Sequence, residues 1–83
     1  MKELVDTIEL MRSEDYKERF KAEYFQTKIR YQKLHTMLIK NEAGKLDFKP
    51  VTPIPILANQ KRYMGEYLRC LEIRAEIEGI SLE

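Results

Sequence analysis

The chain has 83 residues, 43% hydrophobic and 35% charged, with three glycines, three prolines and a net charge of +1. That length admits one domain near the lower limit for a self-sufficient core, and so few Gly and Pro residues predict a helix-rich chain with few turns. Near-neutral charge gives no bulk attraction to nucleic acid or a membrane surface, the lone Cys70 excludes an internal disulfide and any multi-cysteine metal site, and no apolar run approaches the ~20 residues that span a bilayer.

The charge is unevenly placed. Residues 1–15 carry two basic and five acidic groups, and residues 16–45 carry eight basic and three acidic. Residues 46–62 carry three basic and one acidic, and residues 63–83 two basic and five acidic. A basic middle between acidic ends favours self-association as readily as it favours an anionic ligand. Residues 1–11 carry four charges and lack the apolar centre of a signal peptide, so a soluble, cytoplasmic protein is expected.

Residues 2–12 place Leu4, Val5, Ile8 and Met11 on one face at helical spacing. They predict an amphipathic helix of about three turns, marginal alone in water and in need of a docking surface. Helix continuing unbroken to residue 43 would span about 60 Å, so a break is expected near residues 12–15. Ser13 is the expected cap of the next helix, with Glu14 and Asp15 in its first turn. Over residues 13–43, Phe20, Tyr24, Thr27, Tyr31, Leu34 and Leu38 step by 4, 3, 4, 3, 4, a heptad-like seam. A second row of Phe25, Ile29, Met37 and Ile39 widens this face, and Asn41 with Gly44 supplies the stop.

Residues 44–52 form a connection in which Leu46 and Phe48 are expected to tuck over the hairpin end. Thr52 is the expected cap of the last helix, residues 53–79, with Pro53 at its first position. Leu57, Lys61, Met64, Leu68, Leu71 and Ala75 again step by 4 and 3. Gly65 interrupts this helix and leaves room for a close approach, while Gly79 ends it and Ile80 supplies the apolar contact of such caps. Folding back sets Leu38 beside Leu57, Tyr31 beside Met64, Tyr24 beside Leu71 and Phe20 beside Ala75, large against medium or small. The expected architecture is all-α: one domain with a short N-terminal helix and a long antiparallel helical hairpin, assembled into an oligomeric bundle. Leu4, Ile8, Met11, Phe25, Ile29, Ile73 and Ile77 would be left in need of cover, and large exposed apolar patches are rare in monomers.

No catalytic chemistry is legible. His35, the single histidine, has no carboxylate three or four positions away, which favours a surface residue over a metal ligand or general base. Cys70 has Arg69 beside it in sequence but turned elsewhere on a helix, so a small core or interface residue is the better reading. Glu14–Glu18 and Glu72–Glu76 pair at helical spacing without the histidine of a di-metal bundle. Phosphate loops, nucleophile elbows and zinc signatures are absent from the sequence. A non-enzyme without cofactor or metal is expected.

One constellation combines aromatic and basic side chains. Lys28, Arg30 and Tyr31 lie on the first hairpin helix, and Lys61, Arg62, Tyr63 and Tyr67 lie at about the same height on the second. Tyrosine faces can stack a base, and Lys or Arg can hold phosphates. A small anionic ligand such as a nucleotide fits this chemistry, at the hairpin edge or between subunits. The plainer reading is solvated Lys and Arg with interface tyrosines.

The pattern Asp15-Tyr16-Lys17-Glu18-Arg19, Glu23-Tyr24 and Ile29-Arg30-Tyr31-Gln32-Lys33-Leu34, continued by Gln60, Met64, Tyr67-Leu68 and Leu71-Glu72-Ile73-Arg74, resembles a family of small phage and prophage proteins related to a crAss-like phage protein. The resemblance covers roughly residues 14–80 and leaves residues 1–12 outside. It implies a protein made by a phage in the cytoplasm of a bacterial host. The hairpin is also similar to that of phage anti-defence sponges, oligomers that sequester cyclic-nucleotide immune signals, without a residue-by-residue match of binding positions. The resulting expectation is a non-catalytic, phage-encoded protein that sequesters a nucleotide signal. The alternative is a helical module that binds and inhibits, or scaffolds, a host or phage protein.

Overall fold

A computed structural model describes residues 3–83; Met1 and Lys2, which the expected first helix includes in part, lie outside the described residues. A 3₁₀ turn, Leu4–Thr7, leads into α1, Ile8–Arg12, followed by α2, Tyr16–Glu42, and α3, Ile54–Glu78, with no strand among the described residues. The fold is all-α, a short N-terminal helical segment followed by an antiparallel hairpin.

The ends of the elements follow capping chemistry, with corrections to the residues expected. Asp15, not Ser13, caps α2: its carboxylate accepts the Lys17 amide at 2.9 Å. Ser13 Oγ instead accepts the Asp15 amide at 3.0 Å, shaping the break between the helices. Pro53 stands at the N-cap of α3 in place of Thr52, and its carbonyl accepts the Ile56 and Leu57 amides. Glu3 and Asp6 form a reciprocal capping box at the start of the 3₁₀ turn. Gly44 and Gly79 adopt φ of 73° and 70°, the left-handed conformation that glycine tolerates. Beyond each, an amide returns to the helix: Lys45 N–H to the Lys40 carbonyl, and Ile80 N–H to the Ala75 carbonyl.

α2 is the middle layer. One side of it packs α3 through Phe20, Tyr24, Leu68, Leu71, Ala75 and Ile80, all buried, with Phe25, Tyr31 and Leu82 partly buried against them. The buried Phe, Leu and Ile side chains among them contribute about 1.5–3 kcal/mol each. Tyr31 lies against Gly65, next to the expected Met64. Tyr24 Oη donates to Glu72 at 2.8 Å, and burial followed by this bond pushes the phenol up to about 12. At the open end of the hairpin Arg74 closes the two helices. It donates to Tyr16 Oη at 2.6 Å and to Glu78 at 3.2 Å, and lies 5.0 Å over the Phe20 ring.

The opposite side of α2 carries Ala22, Gln26, Ile29 and Lys33, stepping by 4, 3, 4. The N-terminal segment packs there, and α1 does not touch α3. Gln26 Nε2 donates to Thr7 Oγ1 at 2.9 Å, Thr7 Oγ1 donates to the Leu4 carbonyl, and Lys33 meets Glu3 at 3.8 Å. Thr7, Ala22 and Ile29 are buried as a result. The whole is an elongated body of 43 × 24 × 19 Å. Phe48 does not tuck over the hairpin end as expected: it is exposed, while Leu46 is half-buried.

Candidate functional site

The loop end of the hairpin leaves a groove of about 530 Å³ between α2 and α3. Its floor is set by a close approach. A Cβ at position 65 would meet Tyr31 Cε2 at 3.3 Å, so the bare Gly65 lets the phenol ring lie against the α3 backbone. Lys61 Nζ stands 5.9 Å from the centroid of that ring, and the His35 ring runs parallel to it, 6.4 Å away at 9°. Arg62 lies 4.6 Å over the Tyr63 ring and donates to Tyr63 Oη at 3.1 Å.

Lys61, Arg62, Glu42 and Glu66 all line the groove. The ion pairs among the described residues are Lys33–Glu3 and Arg74–Glu78, so both groove cations rest on aromatic faces rather than on carboxylates. Apolar wall is supplied by Leu38, Ile39, Ile54 and Ala58. Chemically, the groove offers a ring face for stacking, two cations for an anion and two carboxylates able to accept N–H or O–H donors.

Of the seven aromatic and basic candidates, Tyr31, Lys61 and Arg62 line this groove. Tyr63 reaches it only through Arg62. Tyr63 and Tyr67 line a second, shallower groove of about 500 Å³ with Ile56, Asn59, Gln60 and Met64, on another face of α3. Lys28 stands 5.5 Å over the Tyr24 ring, away from the groove, and Arg30 is exposed on a different side of α2. The separation follows from the 100° turn per residue: positions 63 and 67 cannot share a face with 61 and 65. Glu42, Ile54, Ala58, His35 and Glu66 were missed as neighbours of the site. A signal for part of the wall was present, since Ile54, Ala58, Lys61 and Gly65 step by 4, 3, 4.

The apolar candidates divide as well. Ile29 is buried inside the protomer, and Leu4 and Phe25 are half-buried within it. Ile8, Met11, Ile73 and Ile77 remain exposed.

Among the described residues no group of His, Cys, Asp or Glu side chains is gathered to hold a metal ion, and no helix is long and apolar enough to cross a membrane. Fold and groove together define a small helical-hairpin protein with an open, mixed aromatic and charged cleft. The chain belongs to the Sequestin family, which matches residues 14–77, the hairpin without the N-terminal segment. The family's name denotes sequestration, the class of a binding protein. No curated protein and no solved structure matches the chain.

Proposed function

We propose that this protein is phage-encoded and non-catalytic, and that it counters host antiviral defence in the bacterial cytoplasm by sequestering a nucleotide immune signal in an oligomer. Membership of the Sequestin family supports the sequestering part of the reading. The single observation that carries the ligand class is the Tyr31 ring set against Gly65, with Lys61 and Arg62 beside it in the same groove. A base stacks on the Tyr31 face, where such contacts contribute about 1–3 kcal/mol each. Phosphates meet Lys61 and Arg62, neither of which forms an ion pair with a carboxylate among the described residues. Glu42 and Glu66 accept from exocyclic amino or ribose hydroxyl groups and disfavour ligands that are anionic along their whole length.

Native mass spectrometry of the protein purified from bacteria with an active nucleotide-signalling defence tests this directly. The expected spectrum carries extra mass matching a nucleotide, lost in Arg62→Ala and Tyr31→Ala. If wild-type protein retains no such mass and shows no heat with a panel of cyclic nucleotides in calorimetry, the reading fails.

The exposed apolar groove beside Tyr63 and Tyr67 favours a second reading, a helical module that binds and inhibits or scaffolds another protein. In that case Tyr63→Asp abolishes anti-defence activity while Arg62→Ala leaves it intact.

A further inference from the structure

The Tyr31 groove has a neighbour at the loop end of the hairpin. A second hollow of about 410 Å³ adjoins it at Asn41, near the end of α2, and Ile54, the first residue of α3; both residues line both spaces. The connection between the helices wraps this second hollow and sets Phe48 and Lys49 in its wall. It repeats the chemistry of the first, an aromatic ring beside a cation. Lys49 forms no ion pair among the described residues, and the loop's own carboxylate, Asp47, stands outside the lining. Phe48 is 56% exposed, although Leu46 in the same loop is half-buried. Where the two spaces meet, Asn41 is half-buried and its side-chain amide has no hydrogen-bond partner among the described residues. That amide can both donate and accept. From Tyr31 to Asn41 α2 rises about 15 Å at 1.5 Å per residue. A ligand stacked on Tyr31 and held by Lys61 and Arg62 must therefore continue well past its first base and phosphate to reach Phe48.

We infer that the two hollows form one extended site for a short oligonucleotide, at least two bases joined through phosphate. One base stacks on Tyr31 and a later base on Phe48, as single-stranded nucleic acid stacks on exposed rings. Lys61 and Arg62 hold the first phosphate and Lys49 a later one, while the Asn41 amide takes the sugar or phosphate that links the two halves. A nucleotide with one base reaches only the first hollow. This inference rests on the nucleotide reading above and names the size class of its ligand.

Calorimetry with the full chain tests it, using adenine and guanine nucleotides of one, two and three units, each linear and ring-closed. The best two- or three-base ligand is expected to bind at least about tenfold more tightly than the best one-base ligand. Phe48→Ala and Lys49→Ala are each expected to weaken the longer ligand about tenfold and to leave one-base binding unchanged, whereas Tyr31→Ala weakens both. Phe48 and Lys49 are exposed loop residues, so both variants are expected to keep the wild-type far-UV circular dichroism. Should one of them fail to fold, the other decides. One-base and longer ligands that bind equally well overturn the inference and leave the nucleotide reading standing. So does a longer ligand whose affinity neither loop variant changes. The absence of heat with every member of the panel overturns the inference, and together with a ligand-free native mass spectrum it overturns the nucleotide reading as well.

Discussion

A methyl group added at position 65 would stand 3.3 Å from the edge of Tyr31, tighter than an ordinary carbon contact. Two effects then oppose each other in Gly65→Ala. The helix gains about 0.5–1 kcal/mol of propensity, and the ring must give by a few tenths of an ångström. We expect a melting temperature changed by little, a shifted near-UV tyrosine signal, and nucleotide affinity reduced about tenfold, equivalent to roughly 1.4 kcal/mol; an unchanged near-UV spectrum would falsify the contact. Tyr24 gives a second prediction. Its folded-state pKa is raised above the ordinary phenol value by burial and then by Glu72. The neutral form is therefore favoured in the fold, so this contribution is fully present below pH 10, the unfolded value, and is lost as pH rises through about 12. Tyr24→Phe should lose about 1 kcal/mol at neutral pH with the bond to Glu72. Urea melts at pH 8 and pH 11 should show the gap between the two proteins narrowing. At this scale the sequence marked Gly65 as a place of close approach, but the residue that approaches depended on register to within one position. Tyr63 and Tyr67 share the composition of a binding site with Tyr31, and only the helical turn angle sets them apart.

The helices were legible because seams of mostly apolar residues step by 4 and 3 over six positions each, a period that neither strand nor loop reproduces. Their boundaries were less so, since Ser13 and Asp15 both make good caps and the choice is made by which oxygen reaches an amide of the new helix. Asp15→Ala should therefore cost about 1 kcal/mol of stability, and Ser13→Ala less, in paired thermal melts. The N-terminal segment is the least anchored element. Gln26 donates to Thr7 and Arg19 to the Ser13 carbonyl to tie it to α2, and the Lys33–Glu3 pair is solvent-exposed. Hydrogen exchange should find the amides of α1 exchanging well before those in the middle of α2 and α3. Equal protection would mean that the segment folds with the hairpin as one unit. That the segment docks on the chain's own α2, burying Ile29, could not be read from residues 2–12, because an amphipathic face does not say which chain it meets.

At the scale of the whole molecule, α2 lies between the other elements, and α1 and α3 make no contact with each other among the described residues. Such a body gains stability by mass action whenever copies associate. If copies associate as proposed, its melting temperature should rise with protein concentration, a comparison that calorimetry at two dilutions makes directly. The need for further cover was visible in the sequence as apolar residues in excess of one hairpin seam. Its location was not, because the excess is shared among α1, α2 and α3, and the fold itself covers part of the share on α2.

Ile80 sits beyond the last helix, returned to the core by the left-handed turn at Gly79 and buried among Phe20, Tyr24, Leu68, Leu71 and Ala75. The hairpin thus depends on a side chain outside the stretch the family shares, as it does at the other end, where Thr7 and the N-terminal segment shelter Ala22 and Ile29. A trimmed protein cut to residues 14–77 would keep every groove residue and lose a stopper at each end.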